Sequence, residues 1–126
     1  MENPHKGKTG LRRLWNALFY SFDGFAAAFR HEDAFRQEII MAAVLLPVAL
    51  FVDVGYASKA VLIGSVVLVL IVELLNSAIE AVVDRVSLEN HYLAKRAKDI
   101  GSAAVFLALV NLVITWTLVL LERLHV

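Results

Sequence analysis

The stretch VELLNSAIEAVVD, residues 72–84, decides how this chain must be read. It lies at the end of an apolar block whose residues 60–83 carry only two charges, Glu73 and Glu80. A helical bilayer span needs about 20 residues, so this block is long enough to cross a membrane as a helix. At 100° per residue, Glu73, Asn76, Glu80 and Asp84 fall within an arc of about 80° and form a single polar stripe. If Asp84 marks the membrane surface, Glu80 lies about 6 Å below it and Glu73 about 16 Å below it. A charged side chain at a span centre costs about 2.5–3.5 kcal/mol on insertion scales, so both glutamates must face protein or water. An intramembrane carboxylate is by default a functional-site candidate. The competing reading is a polar clamp between helices, although the small residues Ser77, Ala78 and Ala81 could serve packing without it.

Working outward, two further apolar blocks appear. Ile100–Leu121 is uncharged throughout. Ile39–Val52 is short, but a helix from Glu32 to Val54 would reach about 34 Å, with its polar first turns among the headgroups. Pro47 falls inside it and is expected to bend it. Between Gly10 and Arg30, the apolar residues Leu11, Leu14, Trp15, Leu18, Phe22, Phe25 and Phe29 recur at steps of three and four, which is one face of a helix. Polar residues fall mostly elsewhere, so the segment reads as a helix lying in the membrane interface, with a partner-binding helix as the alternative. The expected organisation is one all-α membrane domain over residues 1–126. It has a flexible tail at 1–9, an interfacial helix at 10–30, and transmembrane helices at 32–54, 57–85 and 92–122.

Composition agrees. Of 126 residues, 60% are hydrophobic and 19% charged, with net charge zero and mean hydropathy +0.70. Soluble domains carry about 45–50% apolar residues and about 25% charge. A disordered chain and a nucleic-acid binder carried by net charge are excluded. The chain has no cysteine, which removes disulfides and thiolate chemistry. The His residues lack paired metal spacing, so zinc is not expected. Gly7-Lys8-Thr9 mimics the end of a phosphate loop, but Glu2 stands where its first glycine belongs. Residues 1–10 are polar, and no secretory leader is expected.

Basic residues are distributed unevenly. Lys6, Lys8, Arg12, Arg13 and Arg30 precede the first span, and Arg85, Lys95, Arg96 and Lys98 surround the second connection; the other side has only Lys59 and Arg123. The positive-inside rule therefore predicts a cytoplasmic N-terminus and 85–98 connection, with the C-terminus across the membrane. Tyr56 and Trp116 would lie towards the far interface. Two clusters could meet the stripe on the cytoplasmic side: Glu32, Arg36 and Glu38, and Lys95, Arg96, Lys98, Asp99 and Ser102. Taken alone, Glu32 and Arg36 read as an i, i+4 surface pair, and the basic residues as topology signals. Together with the stripe they offer acids for a cation and bases for an anion.

Three segments, AFRQE (34–38), VELLNSAIEAVVDR (72–85) and AKRAKDIGSAAV (94–105), closely resemble the small bacterial integral-membrane diacylglycerol kinases, a family that also includes undecaprenol kinases. The resemblance covers about residues 10–122. It implies a homotrimer in which each subunit has a surface helix and three transmembrane helices, with sites built across subunit boundaries. The implied activity is MgATP-dependent phosphorylation of diacylglycerol to phosphatidic acid at the cytoplasmic face of the bacterial inner membrane, with ATP and Mg2+ as cofactors.

Residue by residue, the resemblance makes Glu73 the proton acceptor, with Asn76 and Lys98 beside it in the catalytic set. Glu32 and Glu80 correspond to the metal ligands. Arg13, Tyr20, Glu32, Glu80, Glu89, Asn90, His91, Lys98 and Asp99 match nucleotide-contacting positions. Ala34, Phe35, Arg36, Gln37, Glu38, Lys59, Glu73 and Ser102 match lipid-contacting ones. Asp23 and Ala26 stand where relatives carry basic residues, and Asn90 where they carry an aromatic. RAKDIGSAAV and VSLENH favour the diacylglycerol branch over undecaprenol. A non-catalytic membrane oligomer would leave Glu32, Lys98 and Asp99 without a joint purpose.

Overall fold

A computed structural model describes residues 10–86 and 91–125, and four helices account for nearly all of them. They are α1 (Gly10–His31), α2 (Asp33–Phe51), α3 (Tyr56–Val86) and α4 (Tyr92–Leu124). No strand occurs among the described residues. The last three helices are long and apolar enough to cross a membrane.

The long helix α3 is the centre of the packing, with α4 and α2 against it and α1 touching α2. Ala42 and Ala49 of α2, Leu62, Val66 and Val69 of α3, and Ala108, Leu112 and Trp116 of α4 form one buried cluster. Small side chains let helix backbones approach, which matters in lipid, where the solvent is as apolar as the core. Outward-facing Ile40, Val44, Ile71, Leu75, Phe106 and Leu118 remain exposed. Apolar surface on this scale marks a lipid or protein boundary.

Trp116 is turned into the core of the bundle. Its indole Nε1 donates to Ser65 Oγ at 3.1 Å, and Ser65 Oγ donates in turn to the Leu62 carbonyl at 2.7 Å. A buried indole N–H needs an acceptor, and Ser65 is the hydroxyl that α3 presents to it.

The joints between helices are short. Between α1 and α2 only Glu32 breaks the helical backbone, at φ −120° and ψ 108°. Arg36 closes this joint by donating from Nη1 to the carbonyls of Phe29 at 2.6 Å and Arg30 at 3.1 Å. Its other terminal nitrogen pairs with Asp33. The anticipated Glu32–Arg36 surface pair is replaced by this arrangement, in which the Asp33 carboxylate and two carbonyls left open at the end of α1 share the guanidinium. The helix α2 runs through Pro47 and ends at Phe51, short of the expected Val54, with Val52 extended. Lys59 Nζ bonds the Leu50 carbonyl at 2.5 Å. His91 caps α4, accepting from the Leu93 N–H at 3.0 Å.

Candidate active site

The polar stripe of α3 turns into the bundle and rises towards one end of it. Glu73 and Asn76 are buried, at 4% and 7% exposure; Glu80 is half-buried and Asp84 exposed. This gradient gives an acidic track from the interior of the helices to the surface.

Each neighbouring element adds a group to the track. The break after α1 brings the Glu32 carboxylate within electrostatic reach of Glu73, as two helical turns of α3 do for Glu80. From α2, the buried carboxylate of Glu38 in turn feels the charge of Glu73. Ser77, one turn beyond Glu73 on α3, donates its hydroxyl to Glu73 Oε1 at 3.5 Å. Asn76 donates from Nδ2 to Glu80 Oε1 at 3.3 Å. From the first turns of α4, Lys98 Nζ reaches Asp84 Oδ1 at 2.6 Å, and Lys98 also feels the charge of Glu80. Among the described residues, Glu38 Oε2 and Asn76 Oδ1 are buried side-chain atoms without a hydrogen-bond partner.

Beside the track, a groove of about 510 Å³ opens between α1 and α3; its walls include Phe25, Ala28, His31, Glu32, Leu74 and Ser77. The lining is mostly apolar, with Ser21, His31, Glu32 and Ser77 as its polar residues. Such a groove suits an apolar chain whose polar end reaches the carboxylates.

The remaining sequence candidates are not all gathered here. Arg13 and Tyr20 are exposed on α1, about 28 and 18 Å from Glu32 along the helix. Asp99 is held on the outer face of α4 by Lys95 at 2.6 Å. His91 is exposed and stacked against Tyr92, with ring centroids 4.9 Å apart. Glu89 and Asn90 lie outside the described residues. Within 34–38, Phe35 and Glu38 point inward, while Ala34 and Gln37 are exposed and Arg36 belongs to the α1–α2 joint. Ser102 is exposed on α4. Lys59 stands at the opposite end of α3, about 31 Å from Glu80 by helical rise.

Sequence reasoning overlooked Ser77 as a partner of Glu73, although their i, i+4 spacing was available. It also took Asp84 only as a surface marker, where the fold makes it the counterion of Lys98.

Among the described residues, no three His, Cys, Asp or Glu side chains form a group able to hold a metal by themselves. The donor set instead fits a cation shared with a ligand. Magnesium is commonly bound through one or two carboxylates, with phosphate oxygens and water completing its shell, and Glu32 and Glu80 both lie within electrostatic reach of Glu73.

Comparison with known proteins gives a consistent assignment. Residues 19–120 match the family described as prokaryotic diacylglycerol kinase. A protein of Pseudomonas aeruginosa named diacylglycerol kinase is 57% identical over 119 residues, 94% of this chain and 97% of that protein. The diacylglycerol kinase of Escherichia coli is 50% identical over 112 residues, 89% of this chain and 92% of its own length. A Helicobacter pylori protein of the same name is 43% identical over 118 residues, covering 94% of this chain and 88% of that one. With three apolar helices and an acidic track between them, the chain belongs to the prokaryotic diacylglycerol kinase family and is an enzyme of that class.

Proposed function

We propose that the protein transfers the γ-phosphoryl group of ATP to the hydroxyl of 1,2-diacylglycerol, forming phosphatidic acid in phospholipid recycling. The observation that carries this reading is the buried Glu73 carboxylate on a track whose outer end holds Glu80 and Lys98. A lipid alcohol approaches from the apolar side and a nucleotide from the polar end, so the two substrates meet along one helix face.

In this reading Glu73 accepts the proton of the lipid hydroxyl, and Ser77 orients its carboxylate. The deprotonated oxygen forms a bond to the γ-phosphorus as the bond from that phosphorus to the β-bridging oxygen breaks, and ADP carries away the electron pair. Phosphoryl transfer depends on positioning and charge neutralisation more than on covalent chemistry. Glu32 and Glu80 would hold Mg2+, which offsets phosphate charge when bound. Lys98 adds a positive charge at the same end, and Asn76 steadies Glu80.

Arg13, Tyr20, His91, Asp99 and Ser102 are exposed within one chain, which supports a homotrimer whose neighbouring subunits complete the nucleotide and lipid contacts. The apolar groove and the exposed faces of α2–α4 offer surfaces for lipid and for those neighbours. The interfacial placement of α1 is supported by Leu14, Trp15, Leu18, Phe22 and Phe25, all exposed. The clustering of basic residues supports an N-terminus and active site on the cytoplasmic side of the bacterial inner membrane, with the C-terminus beyond it.

The test is transfer of radiolabelled phosphate from MgATP to diacylglycerol and, in parallel, to undecaprenol, by purified protein in mixed micelles. Label in phosphatidic acid, lost in Glu73→Gln, supports the reading. Faster labelling of undecaprenol reassigns the lipid, and no transfer to either refutes the activity.

A further inference from the structure

Glycine is disfavoured within a helix relative to alanine, so the glycine in AKDIGSAAV calls for a local reason. Gly101 is buried in the early turns of α4. Among the described glycines it alone leaves no room for a side chain: an added Cβ would fall on the Asn76 Oδ1 atom of α3 and lie 3.1 Å from Asn76 Cγ. At Gly24 and Gly64, also helical, the same atom would meet nothing within 4 Å. The hydrogen that glycine carries in place of Cβ therefore points at Asn76 Oδ1, the buried oxygen that lacks a conventional partner. A Cα–H···O contact of this kind is a weak hydrogen bond that recurs where helices approach closely.

An amide plane has two ends. With Oδ1 set against the Gly101 backbone, Nδ2 is directed at Glu80 Oε1, 3.3 Å away. We propose that Gly101 is a positioning residue of the active site: its bare backbone fixes the Asn76 carboxamide between α4 and α3 and thereby sets the orientation of Glu80. Gly101 lies one turn after Lys98, so the same close approach brings the Lys98 ammonium to its place at the open end of the track. The role of Glu80 in metal binding rests on the function proposed above; the aim of the Asn76 side chain at Glu80 does not.

Two readouts keep these apart. In protein labelled with 15N-asparagine, with Asn76→Ala identifying its signal, Gly101→Ala is expected to shift the Asn76 carboxamide resonance, as Glu80→Gln does. An unmoved resonance in Gly101→Ala overturns the proposal, whatever the metal does. In the second readout, Mn2+ binding with a non-hydrolysable ATP analogue is followed by electron paramagnetic resonance on the intact oligomer in micelles. Gly101→Ala and Asn76→Ala are each expected to weaken binding about tenfold, the scale of one lost hydrogen bond. The double variant, in which the clash has gone, is expected to bind like Asn76→Ala alone. Wild-type binding by Gly101→Ala, or multiplied losses in the double variant, overturns the proposal. If Gly101→Ala does not fold, the double variant still decides by the same comparison. Unchanged Mn2+ binding in Glu80→Gln sinks the metal assignment and leaves the resonance to judge the positioning.

Discussion

Lys98 Nζ lies 2.6 Å from Asp84 Oδ1, so the beginning of α4 is tied to the end of the acidic track on α3. Both side chains are substantially solvent-exposed, at 42% and 64%, and exposed pairs contribute little to stability. The pair serves instead to hold a positive charge beside Glu80. Lys98→Met is expected to lower turnover by about 100-fold or more, the scale of removing one charge-stabilising group. Asp84→Asn should lower it by less than about tenfold, with the thermal midpoint barely moved. Comparable large losses in both variants would show that the ion pair, rather than the Lys98 charge, is what matters.

The two glutamates of the track should separate kinetically. Removing a general base typically lowers rate by about 10²–10⁴-fold, so Glu73→Gln is expected to lose turnover while still binding MgATP. Glu80→Gln is expected to lose metal-dependent nucleotide binding. Equilibrium binding of a fluorescent ATP analogue with and without Mg2+, alongside turnover, checks both. Normal turnover in either variant contradicts its assignment.

The Trp116–Ser65 hydrogen bond makes a prediction about stability alone. Ser65→Ala leaves the buried indole N–H unsatisfied, which costs about 1–3 kcal/mol. Removing the indole N–H as well, in Ser65→Ala with Trp116→Phe, should return less stability than an additive sum of single losses would take away. Unfolding in mixed micelles measures the energies. Ser65 is two turns and more from Glu73, about 12 Å by helical rise, and specific activity of the folded fraction should stay near wild type.

Arg36 is expected to act through the helix joint. Arg36→Leu exposes the Phe29 and Arg30 carbonyls and frees the end of α1. Hydrogen exchange at the amides of residues 29–36 should quicken, and turnover should fall with it. Arg36→Lys should recover only part of the protection, since an ammonium cannot span the two carbonyls and Asp33 as a planar guanidinium does. Exchange at wild-type rates in Arg36→Leu would show that the joint is held by other contacts.

Long apolar runs made three spans legible from residue types alone, and the three-and-four spacing marked a further helix before them. The inward turn of Glu73 and Asn76 was equally legible, because a carboxylate in a span has few places to go. Partner choice was not. Arg36 had Glu32 at helical spacing, yet bonds to carbonyls exposed by a break that no local pattern announces. Nor was the burial of Trp116, whose acceptor Ser65 arrives from α3, fifty-one positions earlier. Gly101 stood unnoticed in a quoted segment because its meaning lies in the distance to another helix. Lys59, grouped with the site by resemblance, sits about 31 Å from Glu80 along α3.

The single extended residue at Glu32 has a consequence for how this chain can change over time. Because α1 and α2 are separated by one position, chain length there acts as a gear tooth. Adding or removing one residue would turn α2 by about 100° relative to α1. That rotation would carry Phe35 and Glu38 out of the bundle and withdraw Arg36 from the carbonyls it caps. Loops elsewhere can drift in length at little penalty, but here an insertion or deletion would strike the joint, the buried acids and the groove together. Residue type at 32 can vary only within what the chemistry tolerates; residue count across it cannot vary at all.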